Sequence, residues 1–121
     1  MAEQMVELNK GDSRKVVYDK LCESTYTSAT SISISGNFSD YRYIMLTAEY
    51  PKTGSVTAVT GSMIYPADFI KDNPSTQFMG MSDTIQGTNT VHPIIQYVDD
   101  THIKLWINNN TYLKAVAYGI R

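Results

Sequence analysis

The sequence is short of the residues from which catalytic and metal sites are most often built. Its 121 residues include one cysteine and two histidines, so an intrachain disulfide is excluded and zinc-ligand spacing is absent. Glycine-rich phosphate loops and nucleophile motifs are missing as well. We therefore expect no enzyme activity, no cofactor and no metal. Cys22 is interpreted as a small buried hydrophobe.

Charged residues are also scarce, at 18% of the chain, and neither sign is clustered. The scattered charges argue against nucleic-acid binding, because that function needs a basic face to neutralise phosphates. No apolar run approaches the roughly 18–20 residues that a membrane-spanning helix needs, and the N-terminus has no signal-peptide core. We expect a protein that is made in a cytoplasm and has neither a membrane nor a nucleic acid as its partner.

Hydroxyl and amide side chains take the place of charge, and tyrosine dominates the aromatic residues. Nine Tyr accompany three Phe and one Trp, a composition that suits strands and binding surfaces. A length of 121 residues corresponds to one domain. A domain of this size can bury a core without crosslinks.

Strand patterns run through the chain from residue 14 onward, after a lead-in. Residues 1–13 are predicted to be helical or disordered and to join the domain to an upstream segment or a neighbouring subunit. Residues 14–121 are predicted to be one domain with an all-β fold, an antiparallel, jelly-roll-like β-sandwich of about eight strands. Residues 66–90 are interpreted as two loops around one strand near 76–82. The other predicted strands cover 14–21, 30–36, 41–50, 55–65, 91–98, 101–107 and 111–120.

Alternation of apolar residues predicts the faces of strand 41–50. Ile44, Leu46 and Ala48 share one face, while Tyr43, Met45 and Thr47 point the other way. A turn at 51–54 is expected to pair Tyr50 with Ser55 and to place Leu46 opposite Val59.

The last three strands are predicted to form a meander, with Val98 opposite Thr101 and Ile107 opposite Thr111. Its core face would hold Ile94, Val98, Ile103, Leu105, Ile107, Leu113 and Ala115. Its second face would hold Pro93, Ile95, Tyr97, His102, Lys104, Trp106, Tyr112 and Lys114. Trp106 would then lie between Pro93 and Tyr112. An aromatic cluster on the second face of a sheet is usually either covered by another protein surface or used to bind a ligand.

This second face supplies the predicted ligand-binding or subunit-interface residues. Aromatic rings with nearby amides commonly bind sugars, because the rings stack on the C–H face of the sugar and the polar groups form hydrogen bonds with its hydroxyls. Subunit contact and edge packing remain open for the same residues. Trp106→Ala is accordingly expected to weaken subunit assembly or ligand binding while leaving the fold intact. The candidates are Trp106, Tyr97, Tyr112, Pro93, His102, Asn108, Asn109 and Asn110.

Three segments carry a resemblance to a known family. They are Lys20-Leu21-Cys22-Glu23-Ser24, the run Gly36-Asn37-Phe38-Ser39-Asp40-Tyr41-Arg42-Tyr43-Ile44 after an alternating Ser/Ile strand, and the closing Ala117-Tyr118-Gly119-Ile120-Arg121. Over about residues 18–121 the chain resembles the C-terminal head domains of bacteriophage and prophage tail fibres and baseplate receptor-binding proteins. Cys22 and Arg42 depart from the pattern, which has an aromatic and an acid there.

The resemblance implies a receptor-binding head at the tail tip of a virion, most often a homotrimer. Its implied partners are a second and third copy of the chain, other tail proteins and a glycan or other structure on a bacterial surface. Linked sites raise avidity by roughly 10²–10⁴ without new contacts. Two alternatives are a structural virion component without adhesive function, such as a head fibre, decoration protein or tail-tip connector, and a small polysaccharide hydrolase or lyase.

Overall fold

A computed structural model of the protein describes residues 16–50, 58–80, 83–85, 89–108 and 113–121. Several sequence predictions therefore lie outside the described residues, among them the lead-in at 1–13 and the turn at 51–54.

Antiparallel strands dominate the described part of the chain, and every pairing found in it is antiparallel. The predicted all-β class is thus confirmed. Two short helical segments interrupt the strands, a 3-10 turn at Phe38–Asp40 and helix α1 at Ala67–Lys71. The strands are β1 (Tyr18–Ser24), β2 (Ser31–Ser33), β3 (Tyr43–Tyr50), β4 (Ala58–Pro66), β5 (Phe78–Met79), β6 (Asp83–Ile85), β7 (Asn89–Val91), β8 (Pro93–Asp99), β9 (His102–Ile107) and β10 (Lys114–Ile120).

Two four-stranded sheets share one apolar core. The first sheet has the order β1-β10-β3-β4 and the second has the order β2-β9-β8-β5, while β6 and β7 pair separately. Each sheet turns one face inward, because side chains alternate along a strand. The inward residues that form the core include Leu46, Ala48 and Ala117 from the first sheet and Ile95, Ile103 and Leu105 from the second.

The two faces of β3 lie as the alternation predicted, but its register with β4 was predicted wrongly. Ile44, Leu46 and Ala48 are fully buried in the core. Leu46 pairs with Met63 rather than Val59, and a bulge follows Ala48. Tyr50 pairs with Ala58, so the connection is longer than the expected turn.

The register of β8 on β9 is one residue away from the prediction, and this reverses the faces of β8. Ile95 pairs with Leu105, and a bulge lies between Tyr97 and Asp99. A one-residue slip moves every side chain of a strand to the opposite face. Val98, predicted to be core, is consequently exposed, whereas Ile95 is fully buried in the core.

The third strand of the predicted meander belongs to the other sheet. β10 pairs with β1 and β3, and its predicted partner β9 pairs with β2 and β8. The chain therefore crosses from one sheet to the other after β9. Leu113 and Ala115 still face the core, because the crossing brings the inner face of β10 against the second sheet.

Residues 66–90 contain more regular structure than the predicted loops and single strand. Pro66 precedes α1, whose Ile70 is fully buried, and Phe78 in β5 pairs with Ile95. β6 and β7 then form a small hairpin. A five-residue helix is too short to show a helical periodicity in sequence, which is why the pattern missed it.

Two segments that carry the family resemblance pack together at one corner of the core. The ring of Tyr41 lies so close to Gly119 that a Cβ there would come within 2.5 Å of it. The Tyr41 hydroxyl donates to Asp19 at 2.8 Å, and the Arg121 guanidinium lies 5.0 Å from the centre of the Tyr41 ring. Arg121 also reaches Asp19 at 3.1 Å. Residues of the two motifs are therefore in direct contact in the folded protein.

Candidate functional site

The structure separates the residues that were predicted to form one aromatic cluster. Trp106 does point away from the core, opposite Ile94, but only 6% of its surface is exposed. Pro93 and Tyr97 were placed beside it wrongly, because the slip of β8 turns both toward the core. Pro93 packs on Gly80, and the Tyr97 ring lies 5.1 Å from that of Phe38.

The remaining candidates have local roles or lie outside the described residues. The side-chain oxygen of Asn108 accepts a hydrogen bond from the His92 backbone N–H at 2.7 Å, which ties the end of β9 to β8. This contact gives the Asn108 side chain a structural role. The candidates Asn109, Asn110 and Tyr112 are outside the described part of the chain.

His102 lies on the outer face of β9, as predicted, within a small polar network. Its Nδ1 is 3.1 Å from Asp99 Oδ1, and its Nε2 is 3.3 Å from the Ser33 hydroxyl. The backbone N–H of Thr101, followed by His102, holds the pKa of Asp99 below its usual value. The order of groups matches that of a serine-hydrolase triad. However, the His102 and Asp99 side chains are 42% and 57% exposed, and catalytic electrostatics needs a site that excludes water. We interpret the network as turn chemistry.

A different surface, the outer face of the first sheet, holds a depression. Alternation along the central strands directs Thr47 and Glu49 of β3 and Tyr118 of β10 to this face, opposite the core. The depression is open and has a volume of about 250 Å³. It is lined by Tyr18, Met45, Thr47, Glu49, Val59, Ser62 and Tyr118.

Glu49 is the chemical centre of the depression. Its side chain is 1% exposed, and its Oε2 accepts hydrogen bonds from the hydroxyls of Thr47 at 2.7 Å and Tyr118 at 2.6 Å. The other oxygen, Oε1, is buried and has no hydrogen-bond partner among the described residues. Buried polar groups are nearly always paired, so an unpartnered carboxyl oxygen beside a surface depression marks a place for a donor from outside.

The neighbouring charges on this face gather around a different carboxylate. Lys114 is opposite Glu49 in the register, yet its Nζ lies 3.4 Å from Glu23 Oε2. Lys20 also contacts Glu23, and its hydrogen bond lowers the pKa of that carboxyl. None of the ion pairs found among the described residues includes Glu49. Glu49 is therefore held by hydroxyls rather than by a cation.

Two tyrosines form the aromatic wall of the depression. Tyr18 is 60% exposed, and its ring meets that of Tyr118 edge-on with centres 5.9 Å apart. Burial, followed by the hydrogen bond to Glu49, raises the pKa of the Tyr118 hydroxyl. Tyr118 therefore keeps its proton at neutral pH and remains a donor to Glu49.

Sequence reasoning missed this site, although one signal for it was present. Glu49 is the one charged residue of the strand Tyr43–Tyr50, and a carboxyl group inside a strand is seldom buried unless it is paired. The contribution of Tyr118 could not have been found by the same means. It depends on β10 lying beside β3, and the sequence had placed β10 beside β9.

The part of the chain that the structure describes has neither a metal-binding cluster nor a membrane-spanning helix. No group of three or more histidine, cysteine, aspartate or glutamate side chains there could hold a metal ion. No helix in that part is both long and apolar enough to cross a membrane.

Comparison with known proteins gives no family for the chain. No protein-family profile, curated protein or solved structure matches it.

Proposed function

We propose that the chain is a receptor-binding head domain of a phage tail that binds a glycan or related structure on a bacterial surface. The single observation that carries the binding role is the depression around Glu49, with its unpartnered buried oxygen. The head is proposed to be a jelly-roll-like β-sandwich that acts as a homotrimer at the tail tip and binds without catalysing a reaction.

The composition of the depression supports a sugar as its ligand. Tyr18 and Met45 offer an apolar surface for the C–H face of a ring, and Ser62 and Glu49 offer polar groups for its substituents. A volume of about 250 Å³ is below the roughly 300–1,000 Å³ of pockets for drug-sized ligands. Such a site fits one sugar unit. A single shallow site binds weakly, and three linked copies would supply the missing avidity.

The phage assignment is supported by the resemblance of the sequence segments. The segment around Tyr41 and the closing segment with Gly119 and Arg121 meet at one corner, where the ring of Tyr41 excludes any side chain at 119. Motif residues that pack on one another support a common fold. The resemblance therefore bears on the framework of a head domain and not on the ligand that it binds.

Adsorption to bacteria tests this proposal. The purified protein, fluorescently labelled, is mixed with a panel of bacterial strains and with their isolated surface polysaccharides. Binding to some strains and to their polysaccharide is expected, with a loss in Tyr18→Ala, because this exposed ring lines the depression. Tyr26→Ala, an exposed tyrosine that does not line the depression, is the matched control. Binding to no strain, or equal binding by both variants, would contradict the proposed site.

A second candidate, a structural virion component, is favoured by exposed apolar residues on the same sheet. Tyr43 and Ile64 are both exposed and lie on the outer face at the end away from Glu49. Exposed apolar patches commonly mark contacts between proteins. A connector protein should assemble with other virion proteins, adsorb to no strain and fail to block infection. An adhesin should compete with phage for susceptible cells.

A further inference from the structure

We infer that the depression around Glu49 selects a primary ammonium group, presented by an unacetylated amino sugar of the surface glycan. The inference rests on the proposed glycan-binding function and names the class of sugar that the depression takes. Three features carry it: the direction of the hydroxyl protons, the uncompensated carboxyl group and the tyrosine wall.

The polar groups at Glu49 offer acceptors rather than donors. The hydroxyl protons of Thr47 and Tyr118 are both committed to Glu49 Oε2. The hydroxyl oxygens of these two residues are thereby left with acceptor lone pairs only, and Glu49 Oε1 is an unused acceptor. A primary ammonium has three donors and no acceptor, so it complements this set. An acetamido carbonyl, a carboxylate or a phosphate would place its own acceptor oxygens against the acceptor oxygens of Thr47, Tyr118 and Glu49.

The charge balance of the face points the same way. Lys20 and Lys114 both contact Glu23, and neither forms an ion pair with Glu49 among the described residues. A carboxyl group that is 1% exposed has lost its water and gained two hydroxyl donors, which compensate a charge only in part. A depression with apolar walls above such a group focuses its field on whatever enters.

The tyrosine wall adds an attraction that is specific for cations. Tyr18 and Tyr118 stand edge to face with ring centres 5.9 Å apart, and both line the depression together with Glu49. Cations are attracted to aromatic ring faces by the ring quadrupole. Because burial and Glu49 raise the pKa of Tyr118, its hydroxyl stays neutral and does not itself compete as an anion.

Calorimetric titration with two matched sugars tests the inference. The probes are a β-1,4-linked glucosamine tetrasaccharide and its fully N-acetylated form, titrated into the full chain. The amino form is expected to bind at least about tenfold more tightly, because an uncompensated charge gains its partner. Glu49→Gln should abolish this preference, and Asp68→Asn should leave it intact, since this exposed carboxylate makes the same change in net charge but does not line the depression.

The outcomes separate this inference from the proposed function. Equal affinity for the two sugars, with adsorption to bacteria intact, would overturn the amino-sugar specificity and leave the adhesin standing. Binding of N-acetyl-lysine amide as tightly as the amino sugar would also overturn it, because the occupant would then be a protein lysine. Failure to bind either sugar or any strain would remove the proposed function itself. The comparison of sugars on the natural chain decides the matter even if Glu49→Gln does not fold.

Discussion

Gly119 has no room for a side chain, because the ring of Tyr41 occupies the place of its Cβ. The nearest ring carbon would be 2.5 Å from an added Cβ, well inside normal contact. The same ring lies under Arg121 and is tied through its hydroxyl to Asp19. This corner joins the start of β3 to the end of β10, so crowding there affects both strands.

Gly119→Ala should lower the free energy of unfolding by about 1–3 kcal/mol, the usual cost of overpacking a well-filled core. Urea unfolding followed by circular dichroism measures this loss. In a Tyr41→Ala background the same change should cost less than about 1 kcal/mol, because contacting residues are not additive. Equal costs in the two backgrounds would mean that the ring is not the cause.

Trp106 needs a different expectation from the one that the sequence suggested. At 6% exposure it is a buried side chain, although it points away from the core cluster. Trp106→Ala should therefore lower the free energy of unfolding by about 3–5 kcal/mol, as other emptied aromatic sites do. Tyr43→Ala, at an exposed position, should change it by less than about 1 kcal/mol in the same denaturation assay. A nearly unchanged stability of Trp106→Ala would return this residue to the list of surface candidates.

At the scale of elements, the bulge in β8 decides which side chains reach the core. Tyr97 pairs with Ile103 and Asp99 pairs with His102, so Val98 is the extra residue of the strand. Bulges are designed features that redirect side chains. The bulge lets Ile95 and Tyr97 face the core while the hairpin keeps its polar turn at Asp99.

Deletions in β8 should differ in cost according to their place relative to this bulge. Deleting Val98 removes the extra residue and keeps Tyr97 opposite Ile103, so the protein should still unfold cooperatively. After deletion of Gln96, Pro93–Ile95 can keep their pairing with β9 only if Tyr97 turns outward. Tyr97 would then lose its contact with the ring of Phe38, whose centre is 5.1 Å away. The second deletion should cost at least about 1.5 kcal/mol more than the first, as judged by guanidinium unfolding. The reverse order would contradict the assigned register.

The outer face of the first sheet shows how neighbouring elements build a site together. β3 supplies Thr47 and Glu49, β10 supplies Tyr118, and β1 supplies the exposed ring of Tyr18. No single strand has the chemistry of the depression. Its polar centre exists because β10 enters the sheet between β1 and β3.

At the scale of the whole molecule, folding suppresses the ionisation of two groups at alkaline pH. Burial, followed by the charge of Glu23, raises the pKa of the Cys22 thiol from 9.0 to about 12. Burial and Glu49 likewise raise the pKa of Tyr118. The unfolded chain therefore loses these protons at a lower pH than the folded chain does. Their contribution to stability is complete below pH 9 and is lost as the pH rises through the folded-state values.

The free energy of unfolding should thus fall above about pH 9, by on the order of 1 kcal/mol per pH unit for each group that unfolding deprotonates. Urea midpoints measured between pH 7 and pH 11 test this. Cys22→Ala should have a shallower decline than the natural chain, since it removes the group with the lower unfolded pKa. Identical slopes for the two proteins would show that the thiol is not protected in the folded state.

The sequence by itself determined what depends on local pattern. Alternating apolar residues in β3 and β9 gave the correct inner faces, as the buried Leu46 and Leu105 confirm, and the same patterns gave the all-β class. The period of two is a property of each strand alone, so no partner is needed to read it. Tyr41 and Gly119 could be recognised as parts of a pattern, although not as neighbours.

Only the tertiary structure decided how the strands pair, and the candidate site depends on that pairing. The register of β8, with its bulge after Tyr97, turned the predicted outer face of that strand toward the core, and the passage of β10 to the first sheet placed Tyr118 beside Glu49. Both are long-range choices, set by the competition of strands for partners and by the packing of the two sheets. The carboxyl group could be noticed in the sequence. One hydroxyl that holds it comes from Thr47, two residues earlier in the same strand, but the other comes from Tyr118 in β10, near the other end of the chain.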